Sequence, residues 1–393
     1  MNDVSLDETL PDVKPDRRRQ IFEGTVRRLL TPIGPYLDDP ATTEIMINGH
    51  TEIYVERRSR EQLPSGEVRD RSTLEKLDAT FDSAEHLEAA ARAIAQYAGK
   101  LLSQDELSIE ARLYDKSRVH ILLPPAARNG LCIAIRRFAK ANHTVENLLS
   151  NGTLSGAASD FLAMCLKLKK NIVVSGGTST GKTTILNALS QFMEPADRVI
   201  VIEDVNELEI QPKHTLYFEA QKPDRFGLGG ITIRELFRAS LRMRPDRILV
   251  GECRGAEALD MIQAMTSGHS GSMTTLHADT PDDALNRLET MALMSKVDLP
   301  QRALRAQIAS AVDVIVQVQR IGGRRGVVSI TELEGLSADG HYVLKDVFEM
   351  SPEAHVPGNR GSLCQETGHR VAFANQGLAL VKHLGLESVP GFS

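Results

Sequence analysis

One octet constrains this chain more than anything else in it: Gly176-Gly177-Thr178-Ser179-Thr180-Gly181-Lys182-Thr183 matches G-x-x-x-x-G-K-[ST]. Small residues at these positions let the backbone curl until its N–H groups converge on phosphate oxygens. A helix beginning at Gly181 turns its positive end toward the same anion. Lys182 can reach the β- and γ-phosphates, the Thr183 hydroxyl can ligate Mg²⁺, and Thr184 closes the phosphate-binding segment. The flanks agree. The apolar run Ile172-Val173-Val174 precedes the octet as a strand, and Thr183 to Ser190 follows with a helical pattern. A strand, a phosphate loop and a helix in that order form the central unit of an α/β domain.

Phosphate transfer to water also needs carboxylates, to organise the metal and to take the water's proton. The apolar strand Ile248-Leu249-Val250 ends in Gly251-Glu252. Glycine stands where an aspartate usually precedes the glutamate, so Glu252 is the candidate base and the missing acid must come from elsewhere. The run Val199 to Ile202 ends in Glu203-Asp204, with Glu207 one helical turn on, and can supply it. Asp204 is then the candidate to hold Mg²⁺ through water, with Thr183. Both acids also have a plain reading as strand-end ion pairs, Glu252 with Arg254 in particular.

A length of 393 residues predicts two domains. Residues 1–16 read as a disordered segment and 17–138 as a small α+β domain. Within the latter, Asp82 is a candidate N-cap ahead of Leu87, Ala90, Ala91, Ile94, Ala98 and Leu101, and strands are expected over 107–113, 118–123 and 131–138. The polar stretch 139–154 reads as a linker. Helices and continuous apolar strands then alternate over 155–350, which predicts a mainly parallel sheet covered on both faces. Residues 351–393 read as an appendage. No apolar run approaches the roughly 20 residues of a membrane helix, and the first residues lack the apolar core of a signal peptide. The four cysteines include no C-x-x-C pair, so free thiols are expected and a zinc site is not. A net charge of −6 and the absence of Trp argue against a stable nucleic-acid partner.

Two further groups of residues bear on the chemistry. Gly268 to Asp279 holds a short strand flanked by His269 and His277, either of which could respond to loss of the γ-phosphate or serve as a capping or core residue. The first domain offers Arg112, Arg118, Arg136 and Arg137 on or beside strands; arginine stabilises phosphoryl charge, and is as often a surface ion-pair residue. The run Arg238, Arg242, Arg244 and Arg247 reads as a subunit contact or a basic patch.

Taken together, these segments resemble the secretion (traffic) ATPases of type II and type IV secretion and pilus assembly, over about residues 30–350. The most specific stretch is LRMRPDRILVGECRGAEALDMIQAMTSGHSGSMTTLHADTPDDALNRLETM, residues 241–291, and it resembles the CpaF-type Flp/Tad pilus assembly branch. The resemblance makes 176–183 the Walker A loop, EDVNEL at 203–208 the Asp box, 248–252 an atypical Walker B, and 268–277 the His box. It implies a RecA-like ATPase domain behind the smaller N-terminal domain. It also implies ATP and Mg²⁺ as ligands, and a homohexamer on the cytoplasmic face of the bacterial inner membrane that drives a membrane-platform partner. By the same resemblance Lys182, Glu203, Glu252, His269 and His277 serve catalysis, and Arg118 and Arg136 approach the nucleotide. A type IV secretion or conjugation channel ATPase is the alternative. A nucleotide-dependent scaffold without turnover would predict decay of Glu203, Asp204, Glu207 and Glu252, all of which are present.

Overall fold

The computed structural model of the chain describes residues 15–62, 68–103, 106–137, 144–223, 227–322, 324–356, 362–376, 382 and 389–392. It divides into two compact units, residues 1–141 and 142–393. The expected disordered segment 1–16 lies outside the described residues except for its last two.

The first unit contains helices α1 (Pro15–Leu29) and α2 (Gly34–Asp38), strands β1 (Thr42–Asn48), β2 (Ile53–Gln62) and β3 (Val68–Lys76), helix α3 (Ala84–Tyr97), and strands β4 (Ser108–Arg112), β5 (Arg118–Leu122) and β6 (Cys132–Arg136). The strands make one antiparallel sheet in the order β3-β2-β1-β6-β5-β4. Alternation decides its faces. Ile45, Ile47, Ile109, Ile121, Ile133 and Ile135 point into a core shared with Val26, Leu87 and Ile94 of the helices. Helix α3 differs from expectation at both ends. Ser83, not Asp82, is the N-cap, its hydroxyl accepting from the His86 N–H at 3.2 Å. Past Tyr97, Gly99 takes a φ of +71°, and Leu101 is exposed rather than on the helix face.

The second unit runs α4 (Val145–Ser150), α5 (Gly156–Lys167), β7 (Ile172–Gly176), α6 (Lys182–Leu189), β8 (Val199–Glu203), β9 (Thr215–Glu219), α7 (Ile233–Ser240), β10 (Arg247–Val250), α8 (Glu257–Thr266), β11 (Met273–Leu276), α9 (Pro281–Leu293), α10 (Gln301–Ala311), β12 (Val314–Ile321), β13 (Arg324–Leu336), β14 (Tyr342–Met350) and β15 (Cys364–Glu366). Its nine-stranded sheet has the order β15-β14-β13-β12-β7-β11-β10-β8-β9. From β12 to β9 every pairing is parallel, and β13 to β15 extend the sheet antiparallel. Successive residues of one strand serve opposite cores. Ile172 and Val174 join one and Val173 the other; Leu249 joins the first, Ile248 and Val250 the second. That two-sided burial is why these strands read as unbroken apolar runs.

Two boundaries differ from the sequence expectation. The polar stretch expected as a linker contains α4, capped by Thr144, with Val145 and Leu148 buried in the core of the second unit. The expected appendage is part of the same core. Leu363 is buried beside Val328, and Cys364, Val371, Phe373, Val389 and Phe392 pack with α5. The Phe161 ring lies 5.9 Å from Phe348 and 5.7 Å from Phe392. Phe392→Ala is therefore expected to cost about 3–5 kcal/mol. A lowered thermal midpoint in calorimetry checks it; an unchanged midpoint would mean the tail is not part of the folded unit.

The basic run also resolves. Arg247 is wholly buried, its Nε donating to Asp197 at 2.5 Å and Nη2 to the Leu166 carbonyl at 2.9 Å. Arg238 pairs with Asp260 at 2.8 Å. Arg247 is thus structural, and the four arginines do not form one surface patch. Beside Arg247, Asn171 spends its whole amide on neighbouring strands and helices. Its Nδ2 donates to the Met265 and Ala311 carbonyls, and its Oδ1 accepts from the Gly271 and Ser272 N–H groups.

Candidate active site

The octet follows β7 directly, at the C-terminal edge of the parallel strands, where such sheets bind their ligands. A Cβ at Gly176 would lie 2.3 Å from the Val318 carbonyl oxygen, so only glycine lets the loop leave β7 so close to β12. Gly181, at a φ of +104°, begins helix α6. Ser179 takes a φ of +57°, a left-handed conformation that costs a non-glycine residue roughly 1 kcal/mol. Lys182 is buried and its Nζ donates to the Gly176 and Gly177 carbonyls at 3.1 and 2.8 Å, which draws the loop around the ammonium. Burial holds its pKa below the usual lysine value. An inward-facing cradle with a desolvated ammonium fits a polyphosphate.

From Lys182 a chain of side chains crosses four neighbouring strand ends. Lys182 Nζ donates to His277 Nδ1 at 3.2 Å, and His277 Nε2 donates to Glu252 Oε1 at 3.0 Å. These two bonds require the neutral tautomer with its proton on Nε2. Burial first, and then the Lys182 charge, keep the imidazole pKa below its ordinary value, in agreement. Glu252 Oε2 accepts from Arg254 Nη2 at 2.7 Å, and Arg254 Nη1 donates to Asp204 Oδ2 at 3.1 Å. Burial would raise the Glu252 carboxyl, but the Arg254 hydrogen bond and charge outweigh it and hold the group below the usual range. Glu252 is therefore a carboxylate at neutral pH, as a base must be.

Glu203 plays a different part from its neighbours. It is buried, and its Oε1 accepts from the Glu207 and Leu208 N–H groups at 3.0 and 3.1 Å. Burial pushes its pKa up to about 7. Glu203 thereby pins the loop that presents Asp204 and Glu207. It also explains Gly251: a Cβ there would lie 2.7 Å from Glu203 Cγ. Glu207 reaches the Thr183 hydroxyl at 3.5 Å. Thr183, Asp204 and Glu207 thus offer hard oxygen atoms on one side of the loop. That set suits Mg²⁺, which takes few protein ligands and keeps water and phosphate oxygens.

The two histidines part company. His277 follows β11 and lies in the chain just described. His269 precedes β11, at the opposite end of the strand, and does not meet Lys182 or Glu252. In the first unit, Arg118 stands directly opposite Arg136 across β5 and β6, and opposite Arg112 across β4 and β5; Glu44 of β1 ends the row. These residues share the face away from the Ile-rich core. Like charges in directly opposed positions oppose sheet pairing, so packing does not call for this row.

Sequence reasoning missed several supporting groups. Glu257 accepts both the Arg254 and Gly255 N–H groups at 2.8 Å. Gln317 Nε2 donates to the Ala278 and Asp279 carbonyls at 3.1 Å, and Thr275 Oγ1 to the Gly251 carbonyl at 2.7 Å. They fix the segments around His277 and Glu252, and isolated polar residues give no periodic signal by which to find them.

Known proteins resemble the chain over most of its length. The family model described as "Type II/IV secretion system protein" matches residues 28–325. The type IV secretion system protein PtlH of Bordetella pertussis is 35% identical over 358 residues, covering 83% of this chain and 99% of PtlH. The type IV secretion system protein VirB11 of Brucella suis is 31% identical over 333 residues, covering 78% of this chain and 89% of that protein. In fold, the chain is similar to the pilus retraction motor PilT in its ADP-bound crystal structure. The TM-score is 0.54 at 17% identity, over 80% of this chain and 84% of that one. The chain belongs to the type II/IV secretion system protein family, and it is an ATPase of that family.

Proposed function

We propose that the protein is a Mg²⁺-dependent motor that works as a homohexamer against an inner-membrane platform partner on the cytoplasmic side. On this reading it powers assembly of a Flp/Tad-type pilus or a related secretion system. The observation that supports it best is the unbroken chain Lys182–His277–Glu252–Arg254–Asp204 along the phosphate edge of the sheet. Lys182 and the loop 176–184 hold the phosphates, Thr183 and (through water) Asp204 hold Mg²⁺, and Glu252 takes the proton of the attacking water. Bound Mg²⁺ supplies charge neutralisation at the phosphates. His277 orients Glu252 by hydrogen bonding to it, and Glu203 keeps the Asp204 loop in place. Arg118 and Arg136 are assigned to the γ-phosphate charge; His269, at the end of β11 away from the phosphate loop, takes no step in hydrolysis on this reading. No helix among the described residues is long and apolar enough to cross a membrane, which suits action from one side.

The likeness to PtlH and VirB11 favours a second reading about equally, an ATPase of a type IV secretion or conjugation channel. Deleting the gene separates the two: loss of surface pili supports the first, loss of effector or DNA transfer with pili intact the second. For the enzyme itself, Lys182→Ala is expected to abolish Mg²⁺-dependent ATP turnover and weaken nucleotide binding at least about tenfold, as loss of a charged phosphate contact should. A phosphate-release assay and equilibrium dialysis read the two effects. Wild-type protein that is oligomeric yet hydrolyses no ATP with Mg²⁺ would rule the motor out.

A further inference from the structure

Arg254 is held in an unusual way. Its backbone is fixed, since its own N–H and that of Gly255 both donate to the buried Glu257 carboxylate. Its side chain is 60% exposed, with room to move. Yet the guanidinium lies back along the sheet edge and forks across two carboxylates, Glu252 after β10 and Asp204 after β8. These strands are parallel neighbours, so the two acids face each other across the gap between adjacent strand ends. The single guanidinium charge between them offsets the repulsion of the two carboxylates and leaves one net negative charge. A divalent cation held by Asp204 would offset the same repulsion more fully. Guanidinium and cation cannot share the gap, because they repel each other and compete for the same carboxylate.

We propose that Arg254 is a built-in placeholder for the divalent cation. It bridges the Glu252 and Asp204 carboxylates and offsets their repulsion until the metal arrives, and the metal expels it. The inference rests on the reading of Asp204 as a metal-holding residue given above. Its consequence is a coupling that the hydrogen-bond pattern makes direct. When Arg254 leaves Asp204 it also leaves Glu252 Oε2. That oxygen then becomes the one able to accept a proton from water, since Oε1 remains with His277. The base is thus uncovered by the arrival of the metal rather than before it. Arg254 is a positioning residue in this scheme, acting through Glu252.

The test uses the full chain without nucleotide and Mn²⁺ alone as the probe, its binding read by loss of the free-ion electron paramagnetic resonance signal. Arg254→Gln is expected to bind Mn²⁺ about tenfold tighter than wild type at low salt, the size expected for removing a unit charge beside a divalent one. The gain is expected to shrink several-fold at about 1 M salt, as a charge effect does. Arg254→Lys, which keeps the charge, is expected to bind Mn²⁺ within about twofold of wild type. In an Asp204→Asn background the Arg254→Gln gain is expected to fall well below its original size. On wild type itself, saturating Mn²⁺ is expected to speed phenylglyoxal labelling of Arg254, read by peptide mass spectrometry, which needs no variant to fold. Mn²⁺ affinity unchanged by Arg254→Gln, an equal gain in the Asp204→Asn background, or labelling unchanged by bound Mn²⁺ would each overturn the placeholder. If wild type also hydrolyses ATP with Mg²⁺, the ATPase survives that result and only the role of Arg254 falls.

Discussion

Glu252→Gln is expected to slow ATP turnover by about two to four orders of magnitude, the range of a lost general base, while nucleotide binding stays close to wild type. Glutamine matches glutamate in shape, so the loop and Lys182 should be undisturbed. What changes is proton affinity and the direction of one hydrogen bond. The carboxylate accepts from His277 on one oxygen and from Arg254 on the other. An amide can accept from only one of them, because its nitrogen presents hydrogens to the second. Glu252→Asp keeps the charge but shortens the side chain by one methylene, and should fall between the two. Single-turnover hydrolysis and equilibrium nucleotide binding, measured side by side, check the split. If the glutamine variant kept more than about a tenth of wild-type turnover, the base would have to lie elsewhere.

Gly251→Asp, which would restore the more usual Asp-Glu pair, is expected to disrupt the protein rather than improve it. The new Cβ would come within 2.7 Å of Glu203 Cγ and 3.1 Å of its Oε1. Glu203 cannot retreat, since it is buried and holds the Glu207 and Leu208 N–H groups. Its raised pKa of about 7 reports how little stabilisation a negative charge finds there. A second carboxylate at this half-buried position would press a like charge against it, which adds to the steric overlap. Poor soluble yield and a much lower urea midpoint are the expected signs. Gly251→Ala isolates the steric part and should cost about 1–3 kcal/mol. The double variant Gly251→Asp with Glu203→Gly exchanges the two side chains between strands and should recover much of the loss. A Gly251→Asp protein as stable as wild type would mean that Glu203 has room to move.

The parallel sheet and the phosphate loop were legible because each rests on a dense local signal. Ile172 to Val174, Val199 to Ile202 and Ile248 to Val250 are buried on both faces and therefore continuous in sequence. The glycines of the octet answer steric demands met within a few residues, as Gly176 shows, where a Cβ would lie 2.7 Å from Thr180 Oγ1. Legibility failed where contacts are sparse or distant. Leu363, Val371, Phe373, Val389 and Phe392 are spaced too irregularly to mark a strand or helix, yet all are buried. β3 carries Arg69, Asp70 and Arg71 and shows no apolar alternation, although it pairs with Tyr54 to Gln62 of β2. Gly251 read as a gap in the acid pair. Its cause, the Glu203 side chain, lies 48 residues earlier and becomes visible only when β8 and β10 are neighbours. The short strand between His269 and His277 was legible, and it sets the two at opposite ends of β11, so that only His277 meets Lys182 and Glu252.

That strand is gripped unevenly. Asn171 and Arg247 take hold of Gly271 and Ser272 just before β11 begins, through bonds sealed from water. Beyond Leu276, His277 is held by exchangeable contacts to Lys182 and Glu252 at the edge where phosphate chemistry takes place. In mechanical terms β11 is a built-in beam, clamped at its root and tied along its edges to β7 and β10. A load at His277 therefore passes into the neighbouring strands and, through the Ala278 and Asp279 carbonyls that Gln317 holds, into β12.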